Sequence, residues 1–373
     1  MTDLKNKDQG VARASLPRRT ALKRLAAIAC APALGSAASA SFAAAPATSG
    51  PLRVSTYGGD FLEAYKQHFF PVFTQQTGIK VEAVEQPEGP QFMLQLAQAN
   101  QAGNVPIDIC MAVGPQMIRG RAKNLWRQFS ANALPSVTGM DPHYIGHGAS
   151  GIDGVGAMGW YFTLAFNPKE LASLPDTWSV LWSKRPNTWG LQSGGQSPLF
   201  EIASALYFGG TEILSTKPGI DKVVTKIAEL KGNVKLWWQD EGTMQTALQN
   251  GEVSGGAFVN DVAVSLSKAG FPIRSVFPRE GGVQGVNYWC QPSASKKLGE
   301  AAAFINFSCS PTAQEIVARH IHGAPVIERS RLKLTDAEFD LVSSDRKPIF
   351  LATESRVANG QYMAQAFNQM LMG

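Results

Sequence analysis

Apolar positions along the chain switch repeatedly between a period of two and a period of 3.6. Leu52-Arg53-Val54-Ser55-Thr56-Tyr57 predicts a short buried strand, Gly58-Gly59 a turn, and Asp60 an N-cap for a helix reaching roughly Gln75, with Gly78 as its stop. Ile79-Lys80-Val81-Glu82-Ala83-Val84 alternates as a second strand does, 90–102 fits a helix, and Ile107-Asp108-Ile109-Cys110-Met111-Ala112 makes a third strand. Strands that alternate with helices imply a parallel sheet covered on both faces.

The stretch 155–166 is apolar, aromatic and punctuated by glycine, and Asn167-Pro168 closes it, so it predicts extended chain crossing between two lobes. A second α/β set follows: strand 187–192, helix 197–208, amphipathic helix 218–231, strand 234–237, helix 242–250 and strand 255–259. Residues 274–277 and 286–291 are extended on either side of Glu280-Gly281-Gly282, a second crossing, and 297–308 and 311–320 are helical. The expected limits are 46–160 for the first part of lobe 1, 161–283 for lobe 2, and 284–373 for the return to lobe 1 with the C-terminal helices. Two such lobes make a cleft faced by strand C-termini and helix N-termini, where ligands bind in open α/β folds.

Charge changes this picture only at the front. The formal net charge is +5, but seven of the 34 basic residues (Lys5, Lys7, Arg13, Arg18, Arg19, Lys23, Arg24) and only Asp3 and Asp8 of the 29 acidic ones lie within residues 1–45. The remainder is formally neutral, which gives no basic stripe for nucleic acid. The basic front followed by an Ala-rich run to Ala45 has the order of an export signal, with cleavage after Ala40, Ala43 or Ala45. Pro17-Arg18-Arg19-Thr20-Ala21-Leu22-Lys23 resembles the twin-arginine type, with an ordinary signal as the alternative. Acylation of Cys30 would instead give a lipoprotein, although Ala27-Ile28-Ala29 lacks the usual Leu before it.

No later run approaches the apolar length of a membrane span, so no stable membrane insertion is expected after signal removal. About 325 residues remain, more than one core comfortably serves. Cys110, Cys290 and Cys309 have no CxxC or zinc-type spacing; no metal or cofactor is expected, and any pairing among them stays open.

Phe70-Pro71-Val72-Phe73 with Thr77-Gly78-Ile79-Lys80-Val81, Thr177-Trp178-Ser179-Val180-Leu181-Trp182, Asn250-Gly251-Glu252-Val253, Phe277-Pro278-Arg279-Glu280-Gly281-Gly282 and Gly323-Ala324-Pro325-Val326, in that order, resemble family 1 extracellular solute-binding proteins, spermidine/putrescine-binding proteins among them. The resemblance implies a type 2 periplasmic binding fold of two α/β lobes joined by two hinge crossovers. It also implies a periplasmic, non-enzymatic role: capture of a small organic solute, delivered to a permease and ATPase complex of an ABC importer. The family places an aromatic two residues before an aspartate in the second crossover, and this chain has Gly285 and Asn287 there. A polyamine-like amine therefore competes with a small carboxylate or other anion as the solute, and an exported enzyme using the same cleft is the rival of another class.

The candidate contacts follow from cleft position. Tyr57, Gly58, Gly59 and Asp60 form the first strand-to-helix turn, whose amides suit an anion and whose carboxylate suits an ammonium. Ser193, Gly194, Gly195 and Gln196 form the equivalent turn of the second lobe, and Asn260 and Asp261 end another strand there. Trp160 and Tyr161 at the first crossing, and Tyr288 and Trp289 at the second, can stack on an apolar solute or cage a cation, but alternation turns only one of each neighbouring pair inward; Asn287 is a candidate as the residue in the family's aspartate position. Gly154-Val155-Gly156-Ala157-Met158-Gly159 matches a dinucleotide fingerprint in letters only, because extended chain follows it instead of a helix. His320-Ile321-His322 lacks a third ligand nearby and is expected at a helix end.

Overall fold

A computed structural model describes residues 50–87, 90–171 and 175–373, so the predicted export segment and Cys30 lie outside the described residues. Its strands, in chain order, are β1 (Leu52–Tyr57), β2 (Val81–Gln86), β3 (Ile109–Val113), β4 (Ile145–His147), β5 (Ile152–Phe166), β6 (Trp189–Gln192), β7 (Val234–Trp238), β8 (Gly255–Val259), β9 (Arg274–Val276), β10 (Val283–Cys290) and β11 (Ile349–Phe350). The sheet runs β2-β1-β3-β10-β5-β8-β6-β7, with β4 and β9 on β5 and β11 on β10. Pairs β1/β2, β1/β3, β6/β7 and β6/β8 are parallel, whereas β10/β3, β10/β5 and β5/β8 are antiparallel. Two parallel sets are thus joined through one antiparallel ribbon.

That ribbon is what the two predicted crossings become. β5 is 15 residues long and buried throughout except at Trp160; β10 is buried along all eight residues. Such continuous apolar runs are the mark of strands covered on both faces. β5 begins three residues before the expected 155 because Ile152 pairs with His147 of β4 and Asp153 is clamped by Arg121 at 2.6 and 2.8 Å.

Buried side chains gather in separate cores on the two sides of the ribbon's midpoint. Tyr65, Phe69 and Phe73 of the helical run 59–77 meet Trp289, Phe304 and Phe307 in one. Trp178, Trp189, Phe200, Phe258 and the apolar stripe Ile220, Val223, Val224 and Ile227 of helix Lys217–Ala228 fill another. The stripe has the 3.6-residue spacing that an amphipathic helix needs, and Thr216 caps it by accepting from the Gly219 N–H.

Four helices among the described residues went unlocated in the sequence pattern, the shortest of them Asp336–Asp340. Gly114–Ala122 starts on Gly-Pro, which reads as a break, yet proline is well placed in a first turn. Asn260–Lys268 follows β8 directly. Thr353–Met372 places its buried Met363 and Phe367 in the second core. It is fastened there by Arg356, 4% exposed, which meets Glu201, fully buried, at 2.8 and 2.6 Å and donates to the carbonyls of Gly195 and Ser197. One N-cap also shifts: Gly58 holds that position and Gly59 takes φ +63°, so Asp60 falls in the first turn, exposed, with no side-chain cap bond. Gly78, at φ 74°, ends the run as expected.

Candidate functional site

The ladder on β5 locates the gap between the lobes. Val113, the last residue of β3, is level with Asn287 of β10, which is itself level with Met158 of β5; Val259, the last residue of β8, is level with Phe162. The C-terminal ends of the two parallel sets therefore meet the ribbon four residues apart, about 13 Å. Trp160 lies midway and on the same face as Met158 and Phe162, because alternation sends every second side chain to one side.

On that face the indole of Trp160 lies over Gly285: a β-carbon added to Gly285 would stand 2.2 Å from its Cζ2. An aromatic at 285 and an aromatic at 160 cannot share this spot, which explains how the ring is kept although its expected position has become glycine. Asn287 is 5% exposed and donates its Nδ2 to the Met111 sulfur at 3.4 Å, while its Oδ1 is buried without a hydrogen-bond partner. A buried amide oxygen left without a donor is costly unless something supplies one. At the end of β1, the Tyr57 ring meets Phe61 at a tilt, centroids 5.8 Å apart, and the Gly58 Cα faces the Glu85 carboxylate, whose Oε1 would be 2.4 Å from an added β-carbon.

From the second lobe, Asp261 enters in the first turn of helix Asn260–Lys268. Its carboxyl is raised by desolvation, opposed by its own and the Val262 backbone N–H and by His322, yet the residue keeps solvent contact. Desolvation with access is what a concave wall produces. It lines a recess of about 360 Å³ with Gln245, Gln249, Val262, Ser265, Leu266 and Ala269. His322, exposed and at φ 59°, is lowered by desolvation and by Lys268, and Asp261 works the other way. Its neighbour His320 stacks on His68 at 3.9 Å, at the helix end where it was expected.

Other candidates are spent elsewhere. Tyr161 points to the opposite face, buried against Phe277 at 5.0 Å. Tyr288 also lies there, donating to the His143 carbonyl at 2.7 Å. Asn260 bridges the Leu341 carbonyl and the Ser275 hydroxyl at 2.8 and 2.6 Å. Ser193 donates to the Trp238 carbonyl, and Gly194 takes φ +81°. Gly195 abuts the C-terminal helix, where an added β-carbon would stand 3.0 Å from Gly360 O, and Gln196 is exposed. Asp240 caps helix Glu241–Gln249 through Thr243 at 2.9 Å.

The opposite face holds a recess that the sequence pattern did not suggest, about 650 Å³, floored by Gln284, Val286 and Tyr288 and walled by Met117, Arg121 and Phe350. His143 stacks on Phe350 at 3.9 Å, and the Tyr144 hydroxyl, raised to about 12 chiefly by burial, donates to Gln284. This volume is larger than the other, and it lies behind the ribbon, with Gly114, the residue that follows β3, in its wall. Its signal was non-local: the segment around Phe350 returns from far along the chain.

With the geometry in place, comparison with known proteins decides the family. The model of the bacterial extracellular solute-binding proteins matches residues 71–340. The chain belongs to this family. It is 27% identical over 292 residues to the gamma-aminobutyric acid-binding protein of Pseudomonas aeruginosa, covering 76% of this chain and 79% of that one. It is 28% identical over 201 residues to the spermidine/putrescine-binding periplasmic protein of Escherichia coli, covering 53% of each. Among solved structures, the Agrobacterium tumefaciens periplasmic binding protein AttC in an open unliganded conformation superposes with a TM-score of 0.71 at 20% identity, covering 86% of this chain and 99% of that one. The Streptococcus pneumoniae spermidine/putrescine-binding PotD gives 0.66 at 17%, covering 87% and 99%. The fold of this solute-binding protein is therefore the two-lobed type 2 periplasmic one. No helix among the described residues is long and apolar enough to cross a membrane.

Proposed function

We propose that this chain is the exported, periplasmic solute-binding component of an ABC importer, carried out by a twin-arginine type signal, and that its solute bears a primary ammonium group. The chain captures the solute without altering it and hands it to a permease and ATPase complex. The first lobe comprises 46–160 and the chain from 284 onward, the second 161–283, with the C-terminal helix carried on the second. The solute lies on the Trp160 face, between Tyr57 and Gly58 on one wall and Asp261 on the other.

The observation that carries the choice of an amine is the buried, partnerless Oδ1 of Asn287 beside the partly exposed indole of Trp160. An ammonium supplies the missing donor, and the indole face attracts the charge and its methylenes. Glu85 and Asp261 add negative potential from both lobes. The relatives point the same way, since gamma-aminobutyric acid, putrescine and spermidine all carry a primary ammonium. A small carboxylate is the second reading, favoured by the open backbone at Gly59.

Thermal shift with gamma-aminobutyrate, putrescine, spermidine and butyrate tests the choice. A cognate amine at a hundred times its Kd adds about 2.7 kcal/mol of stability. Asn287→Leu, which keeps volume and removes the acceptor, lowers that affinity by about tenfold, or 1.4 kcal/mol. A shift with butyrate and none with the amines refutes the ammonium, and chemical turnover of any of them refutes the binding role.

A further inference from the structure

We propose that Cys110 of β3 and Cys290 of β10 are a matched pair that closes into a disulfide, tying the second crossover to the first lobe, whenever the chain folds in the presence of a disulfide donor. The two residues are direct partners in the antiparallel β3/β10 ladder, so their side chains leave the sheet on the same face. Cα atoms so paired stand about 4.5 or 5.5 Å apart, and both separations fall within the range a disulfide bridges, about 4.4–6.8 Å. Both side chains sit in one apolar cluster, 0% and 1% exposed, with Met117 and the bare Gly154 around them. In the structure they are thiols, as is Cys309, which lies in a different cluster and faces neither.

The chemistry is thiol–disulfide exchange with a small-molecule or protein disulfide donor. The thiolate of one cysteine attacks the donor, forming a mixed disulfide and expelling one donor thiolate. The other cysteine, deprotonated in turn, attacks the sulfur now carried by the first and expels the second. The pair loses two electrons and two protons, and the donor is reduced to two thiols. Burial pushes both thiols well above their ordinary value, so the folded protein holds almost no thiolate. The bond therefore closes while β10 is still docking, and the compartment in which the chain folds sets its redox state. A chain folded among disulfide donors carries the bond; one folded in a reducing compartment before export carries two inert thiols.

The test refolds reduced, denatured full-length chain through a glutathione and glutathione disulfide buffer, traps free thiols with N-ethylmaleimide under denaturing conditions, and maps the peptides. The expected product links the Cys110 and Cys290 peptides, lighter by two hydrogens than their sum, and leaves Cys30 and Cys309 alkylated. Its melting temperature falls by at least about 5 °C in dithiothreitol. The Cys309→Ala variant behaves identically, while a Cys110→Ala/Cys290→Ala variant still folds and shows no reductant dependence. Refolded protein with Cys110 and Cys290 both alkylated, or with Cys309 bridged to either, overturns the proposal, as does a linked pair whose melting temperature ignores reductant.

Discussion

Removing Arg356 is the sharpest available test of how the C-terminal helix is held. Its guanidinium supplies two donors to Glu201 and one each to the carbonyls of Gly195 and Ser197, all from a site 4% exposed. Arg356→Ala leaves the Glu201 carboxylate buried with a single remaining donor, the Ala352 N–H at 3.1 Å, and strands two carbonyls. Breaking a buried pair from one side costs about 3–5 kcal/mol, because the surviving charge has lost both water and partner. At about 2 °C per kcal/mol that is a fall of about 6–10 °C in melting temperature. Urea titration followed by circular dichroism gives the free energy, and hydrogen exchange shows whether residues 353–372 open first. The paired replacement Arg356→Met with Glu201→Leu should recover most of the loss, since no charge is then stranded. If Arg356→Ala lies within about 1 kcal/mol of the parent, or the paired variant is no better than the single one, the stranded-charge argument is wrong.

Two further outcomes follow from the geometry. Gly285→Ala drives a methyl into the Trp160 indole, so solute affinity measured by calorimetry should fall at least about tenfold while stability drops by only about 1–3 kcal/mol, the partly exposed ring being able to swing away. Asp108 is raised by burial, but hydrogen bonds from the Arg53 side chain, the Arg53 backbone and Ser295 outweigh this and hold it below its ordinary 3.8. Its stabilisation is complete above pH 3.8 and is lost as pH falls through the depressed value. Asp108→Asn should accordingly flatten the acid limb of the stability–pH curve, and an unchanged slope below pH 4 would count against the assignment.

What the sequence revealed is local in origin. β8 falls at the expected 255–259, and β1 at the expected 52–57, because a short apolar run between turn residues leaves little choice. Alternation also foretold that only one of Trp160 and Tyr161, and one of Tyr288 and Trp289, could face the cleft; it could not say which. The β10/β5 register puts Trp160 and Asn287 on one face and Tyr161 and Tyr288 on the other, Trp289 is buried against Tyr65 and Phe304, and the bulge between Asn287 and Tyr288 shows why counting alone was unsafe. The turn at Ser193-Gly194-Gly195-Gln196 looked like a cleft turn for its two glycines. Gly195 instead makes room for Gly360 and Ala364, a contact 165 residues distant in sequence and invisible to any window. Asn260 was legible as a strand end but not as a tie to Leu341, for the same reason.

The ribbon of β5 and β10 is a partition as well as a tether. Its two faces look different ways, one carrying Trp160 toward the ends of β3 and β8 and the other carrying Gln284 to the floor of a recess, with a single thickness of backbone between them. Any rotation of the lobes that narrows the space on one face must dilate that on the other by a related amount, as the two sides of a seesaw move. A bulky group lodged behind the strands would prop the front ajar or shut from a distance of one peptide plane, without touching whatever occupies it.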